Sequence, residues 1–352
     1  MSTGLSSDVV EGSEVPSVDP EEPDAPKELA GRSPTRIALG RLAHDKVAVV
    51  CAVILLMLII LAVMAPLICN WLNIFVDQDN PAAPTPSQVL DQDPIFGHPG
   101  YPLIGPPYHP FTWDHPLGIE PATGKDNLAL LLYGLRTSLT VATLATLIST
   151  AVGVTLGLVA GYARGWVDSA LSFLIDFFLS FPFLLGALAL APIVTSRFGR
   201  GDSSISLKQA ELFSLVGVLV IFGWMGLARL IRGQVLSLRE REFVQAAQVI
   251  GVPVRSILFK EMLPNLVAPI VVAISLALPA YVGAEAGLSY LGIGLTETPS
   301  LGRTVNKAAG ASYFETYPLY LWAPVIMIMV LVIALNLVGD SIRDAFDPKT
   351  RR

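Results

Sequence analysis

The chain has 352 residues, of which 53% are hydrophobic and only 15% charged, with a mean hydropathy of +0.60. A soluble domain carries about 25% charged residues, so this composition excludes an ordinary soluble enzyme, a nucleic-acid binder and an intrinsically disordered chain. The formal charge of −6 is uneven: residues 1–46 hold nine acids and five bases, a net of −4, which leaves −2 for the remainder.

Residues 1–31 are rich in Pro, Ser, Glu and Asp and show no apolar periodicity. Such a segment buries too little surface to offset its ordering entropy, which predicts a disordered stretch within a cytoplasmic tail at 1–46. Val47–Cys69 then supplies 23 residues without a charge. That is about 34 Å of helix, enough to cross a bilayer with every backbone group satisfied internally. Cys51 and Cys69 both fall in this run, 18 residues apart. One rigid helix keeps them too far apart to pair, so they read as small apolar residues.

A loop at 70–132 follows. Between Asn70 and Asn127 it carries eleven prolines and seven aromatic residues, which stiffen the backbone and give it something to pack with. It is expected to be ordered, either as a face for an extracytoplasmic partner or as a lid on its own bundle. Gly118, Gly124 and Lys125 approach a phosphate-loop pattern, but the gap is too long and Asp126 stands where Ser or Thr must ligate magnesium. His44, His98, His109 and His115 lack metal-ligand spacing and read as surface or loop residues.

Five further apolar runs, Ser138–Ala163, Ala170–Val194, Leu212–Leu230, Leu263–Ala284 and Leu319–Val338, give six spans in all, the last five in a core at 133–340. Ser149, Gly153, Gly157 and Gly161 recur every four residues and predict close approach of another helix. Asp176 is expected to pair structurally with Arg164 or a neighbouring helix, and Glu285 to be structural as well. An even number of spans puts both ends of the chain on one side. With that side cytoplasmic, 16 of the 23 basic residues are inside and seven outside, the sense of the positive-inside rule.

The segment 239–263 lies between the fourth and fifth spans. Glu240–Ile250 favours helix, with acids at its start and Gly251 as a stop. Phe243, Ala246, Ala247 and Ile250 recur at helical spacing as an apolar face too short to span anything. A second helix, Val254–Met262, runs into Pro264. Such a pair either tucks beneath the bundle or offers a knob to a soluble partner.

Glu242, Ala246, Ala247, Gly251 and Leu263-Pro264-Asn265 resemble the signature loop of ABC importer permeases. Collinear with them stand His115-Pro116-Leu117-Gly118, Tyr133-Gly134-Leu135-Arg136-Thr137-Ser138-Leu139, Phe181-Pro182, Glu285-Ala286-Gly287-Leu288-Ser289-Tyr290-Leu291-Gly292 and Asn336-Leu337-Val338-Gly339-Asp340. From about Ser33 to the end the chain is similar to C-type permease subunits of dipeptide and oligopeptide importers, a scaffold shared with nickel permeases. Ile119-Glu120, Lys125 and Glu261-Met262 depart from the usual pattern.

The resemblance implies an all-α integral membrane protein of the type I importer permease fold, with six transmembrane helices and both termini cytoplasmic, in a bacterial cell membrane. It implies no catalysis by this chain and no cofactor in it, with ATP and Mg held by partner ATPase subunits. The implied partners are a homologous B-type permease, one or two ATPase subunits, an extracytoplasmic substrate-binding protein and membrane lipid, with no nucleic acid. The implied docking set is Glu242, Phe243, Ala246, Ala247, Ile250, Gly251, Leu263 and Pro264, in a coupling loop at 239–263; residues 341–352 form a cytoplasmic C-terminus. A proton-coupled carrier working alone is the alternative from another class.

Overall fold

A computed structural model describes residues 40, 42–75, 89–92, 99–103, 105, 110–121, 123–198, 206–295, 297–310 and 318–346. The acidic segment 1–31, much of the proline-rich loop and residues 347–352 lie outside the described residues.

The described chain is nearly all helix. Its longer helices are α1 (Lys46–Trp71), α2 (Asn127–Tyr162), α3 (Trp166–Ser180), α4 (Phe183–Phe198), α5 (Leu207–Ile221), α6 (Met225–Arg239), α8 (Val267–Tyr290) and α10 (Pro318–Phe346). The short α7 (Glu242–Val249) and α9 (Leu301–Ala309) lie between them, and a small antiparallel ribbon pairs β1 (Leu90–Gln92) with β2 (Pro99–Pro102). Five helical stretches are long and apolar enough to cross a membrane, and α3 with α4 makes six if that bent pair is one span.

The expected span Ala170–Val194 is therefore not one rod: α3 and α4 meet at a bend of 92°. Pro182 explains the corner. Its ring removes a backbone donor and collides with the carbonyl four residues back, and it drives the preceding residue out of helical geometry; Phe181 sits extended, at φ −80° and ψ 129°. The fourth span also breaks at residues 222–224 and then runs on to Arg239, beyond the expected end at Leu230. Phe222 lies at both breaks, stacked on Phe181 and edge-on to Phe178 and Phe183.

The centre of the bundle is α2 against α6. A Cβ at Gly153 would stand 2.8 Å from the Trp224 carbonyl oxygen, at Gly157 2.7 Å from the Ala228 carbonyl oxygen, and at Gly161 2.6 Å from Val235 Cβ. Real Cβ atoms do not tolerate such distances, so the four-residue glycine spacing is the reason the two backbones touch. At the other end of the bundle α9 sits as closely on α8, where a side chain on Gly302 would strike the Ala286 carbonyl.

Two acids of the spans resolve as structural. Asp176 on α3 pairs with Arg229 on α6, not with Arg164. Glu285 is fully buried on α8, accepts from Ser289 Oγ at 2.8 Å and has the Ser138 and Ser300 hydroxyls beside it. Cys51 and Cys69 are free and buried, as small apolar residues.

The segment from His115 to Asn127 is folded as a cap rather than a nucleotide loop. His115 Nδ1 is 2.7 Å from Asp126 Oδ2, and Asp126 caps α2 by accepting from the Leu128 and Ala129 amides. Gly118 and Gly124 take φ of +74° and +72°, the left-handed turns that glycine permits. Glu120, buried, accepts from Lys307 Nζ at 3.0 Å on α9, from the Tyr320 hydroxyl at 2.5 Å on α10 and from the nearby Thr123 hydroxyl. The departure to Glu120 thus has a structural reason, since its carboxylate ties the cap to two helices.

At the opposite end the Ser341 hydroxyl donates to Asp45 Oδ2 at 2.9 Å, joining the start of α1 to the last turns of α10. That bond, with backbone donors at the N-terminus of α1, holds the Asp45 carboxyl below its ordinary value. A carboxyl lowered by folding stabilises at neutral pH and loses that contribution as pH falls through its folded value.

Gly157→Leu should separate α2 from α6 and cost about 3 kcal/mol or more, seen as loss of folded protein from detergent-solubilised membranes. Glu120→Gln should cost about 1–3 kcal/mol by removing a charged acceptor from three donors. Its thermal midpoint should fall together with that of Lys307→Ala, and the double variant should lose less than the sum.

Candidate docking site at one end of the bundle

Beyond Arg239 the chain makes a tight elbow. Glu240 closes α6, Arg241 is extended at φ −79° and ψ 145°, and α7 begins at Glu242, whose acid lies in the first turn where the helix dipole favours it. Eight residues later α7 stops. The Val252 amide donates to the Ala247 carbonyl at 3.0 Å and the Gly251 amide to the Gln248 carbonyl at 3.1 Å, with Gly251 at φ +77°. This is a Schellman stop, and the positive φ is why glycine stands there. Val252 and Ala247 share one hydrophobic cluster, the contact that usually accompanies the motif.

The returning arm is one turn of α-helix (Val254–Ser256), a π-turn (Ile257–Met262) and a 3₁₀ turn (Leu263–Leu266) that leads into α8. Pro264 accounts for the irregularity, because its ring cannot sit over the carbonyl of residue 260 in a regular α-helix. The expected second helix, Val254–Met262, is therefore mostly this widened turn.

The elbow is bolted to the bundle. Val244, fully buried, and Ala247 pack with Ile257, Leu258, Met262 and Leu266 of the arm and with Leu158, Ile231 and Val235 of α2 and α6. Gln248 Nε2 donates to the Tyr162 hydroxyl at 3.3 Å. The outward side is bare: Val249 is 87% exposed and Ile250 77%, with Phe243, Val254 and Phe259 also exposed.

The expected apolar face of Phe243, Ala246, Ala247 and Ile250 is thus divided. Ala247 faces the core, whereas Phe243, Ala246 and Ile250 face out together with Glu242 and Gly251. Leu263 is half-buried against the elbow and Pro264 exposed. Two residues escape the sequence reading: Val244, the inward anchor, and Val249, the barest apolar residue of the elbow. Their signal is an apolar count too high for one stripe on a helix of eight residues. Beside the elbow a shallow depression of about 510 Å³ is lined by Pro253, Arg255, Ser256, Phe259 and Lys260.

A rigid mount with a bare apolar tip suits a docking knob, since large exposed apolar groups mark interaction sites. Residues 153–352 match the family model of the binding-protein-dependent transport system inner membrane component, and residues 33–88 match the N-terminal transmembrane domain of oligopeptide transport permease C. The oligopeptide transport system permease protein OppC of Haemophilus influenzae is 32% identical over 92% of this chain and 91% of its own length. OppC of Escherichia coli is 32% identical over 92% of this chain and 94% of its own. The dipeptide transport system permease protein DppC of Alkalihalophilus pseudofirmus is 30% identical over 95% of this chain and 96% of its own. A solved structure of the MetNI methionine ABC transporter, inward facing, aligns with 62% of this chain and 96% of its own at 21% identity and a TM-score of 0.49. The chain belongs to the family of binding-protein-dependent transport system inner membrane components, as a multi-pass permease.

Proposed function

We propose that this chain is a permease subunit of an ATP-driven importer of di- or oligopeptides, forming half of the translocation path, and that the elbow is where a separate ATPase subunit grips it. The observation that carries the reading is the elbow itself: Val249 and Ile250 are the barest large apolar side chains at the end of a helix whose inner face shares an apolar cluster with α2 and α6. The names of the similar proteins supply the peptide class. The basic bias of 16 residues against seven supports a cytoplasmic elbow and cytoplasmic termini, and the Asp45–Ser341 bond brings the start of the first span and the end of the last together.

In this reading a homologous B-type permease completes the path, ATP and Mg are held by the ATPase subunits, and an extracytoplasmic binding protein delivers the peptide. Glu242, Phe243, Ala246, Ile250 and Gly251 form the gripped surface; Ala247 holds that surface to the bundle, and Leu263 and Pro264 brace the arm. A displacement of the knob moves α6 and α2 with it, because the inner face of α7 shares one apolar cluster with both and Gln248 is bonded to Tyr162 at the end of α2. Closure of the ATPases on nucleotide rocks the bundle, and hydrolysis resets it.

Val249→Asp combined with Ile250→Asp removes the apolar tip without touching Val244 or Ala247. It should cost about 2 kcal/mol or more of subunit binding, roughly a thirtyfold loss of affinity. Copurification of the ATPase subunit and peptide uptake should both fall, while membrane abundance and melting temperature stay at the parental level. Gly251→Val, strained at its positive φ, should uncouple ATP hydrolysis from uptake. Parental uptake in both variants would exclude the elbow as the coupling element.

A further inference from the structure

A groove runs along the seam of α1 and α2, closed at its floor by Leu278 of α8 and Leu335 of α10, with a volume of about 470 Å³. Its walls are mainly apolar: Leu55, Ile59 and Val63 on one side, and on the other Leu139 and Leu144 with the threonines Thr140 and Thr143 between them. One charged side chain lines it, Arg136 on α2. Among the described residues the Arg136 guanidinium has no ion pair and no hydrogen-bond acceptor, and the residue is exposed.

Position decides what fits. Asp126 caps α2, so Arg136 stands ten residues in, about 15 Å along the helix. On α1 the neighbouring wall residue Val63 lies eight residues, about 12 Å, before the exposed Trp71 at the end of the span. The groove extends from there toward Leu55, a further eight residues or about 12 Å, in the direction of the bilayer centre. It is a slot parallel to the helix axes, mainly apolar along its length, with a cation at the end nearer the α1 terminus marked by Trp71. Arg136 stands two residues before the apolar run that begins at Ser138, at the headgroup end of the slot, where its long side chain reaches the interfacial region while its stem lies on apolar surface.

We propose that this seam binds a phospholipid, one acyl chain lying between α1 and α2 and the phosphate accepted by Arg136. Guanidinium and phosphate match in charge and in fork geometry, and an acyl chain matches a long, narrow, apolar slot. The face opens where α1, the most apolar span with a mean hydropathy of 3.4 and only 22% of its apolar window buried, meets its surroundings. An anionic headgroup such as phosphatidylglycerol is preferred, because a zwitterionic choline adds a second cation beside Arg136. The site is independent of the elbow, which lies at the other end of α2.

The test uses the assembly as extracted from membranes, reconstituted in nanodiscs of phosphatidylglycerol or of phosphatidylcholine and analysed by native mass spectrometry after release. The parental protein should keep one phosphatidylglycerol at least fivefold more often than phosphatidylcholine. Arg136→Gln should abolish that preference, Arg136→Lys should retain part of it, and Thr143→Trp, which fills the slot from an exposed position on its wall, should displace the lipid with Arg136 intact. Equal retention of both lipids by the parental protein overturns the proposal. So does unchanged retention in Arg136→Gln, and so does a loss of the second permease subunit from Thr143→Trp with no lipid bound by the parent, which would make the seam a protein interface. Uptake and ATPase coupling are read separately, so failure of the lipid site leaves the importer reading untouched.

Discussion

The approach of α2 to α6 is the constraint on which the rest of the bundle depends. Water drives apolar helices together, but inside a bilayer the surrounding lipid is as apolar as the helices, and association rests on how closely backbones can pack. Gly153, Gly157 and Gly161 remove the side chains at three successive turns, and carbonyl and Cβ atoms of α6 and its start occupy the space. Because α6 ends in the elbow and α2 ends beside it at Tyr162, this contact also fixes where the elbow hangs. Val244 and Ala247 then pack on residues of both helices at once. The elbow is an extension of this glycine-lined joint.

The two ends of the bundle are closed by different chemistry. On the side of the His115–Asn127 cap, polar groups are buried and matched: Glu120 with Lys307 and Tyr320, His115 with Asp126, Asn127 with the Leu117 carbonyl. A buried charge left alone is expensive, so each of these needs its partner. At the elbow the polar matching is sparse, and Phe243, Val249 and Ile250 stand exposed among polar residues. One end is thereby sealed on itself, while the other presents unsatisfied hydrophobic area to whatever binds it.

Much of this architecture is readable in the residues, for reasons that differ by element. The long apolar runs have to lie in the bilayer, since lipid tolerates little else, and the glycine ladder has to meet a helix. Gly251 marks the end of α7 because only a left-handed residue completes that stop. The corner between α3 and α4 is hidden from a reading by hydropathy, which is blind to direction, although Pro182 marks it. Arg229 cannot be picked as the partner of Asp176 from the chain alone, since 53 residues separate them and no local pattern joins them. The outward face of α7 is only partly legible, because which apolar residue turns inward depends on where the returning arm lies. The helix α9 is quieter still: it is nine residues long with a polar side, and only its cap at Ser300 advertises it.

The break at residues 222–224 gives the molecule an anisotropic stiffness. Force applied along α6 from the elbow does not travel straight up into α5, because the rod is interrupted where Phe222 sits among Phe178, Phe181 and Phe183. It is diverted sideways into α2 through the glycine contacts. The joint is thus built like a crank rather than a piston: what α6 meets first is the longest helix, and α4 and α5 lie beyond the aromatic cluster.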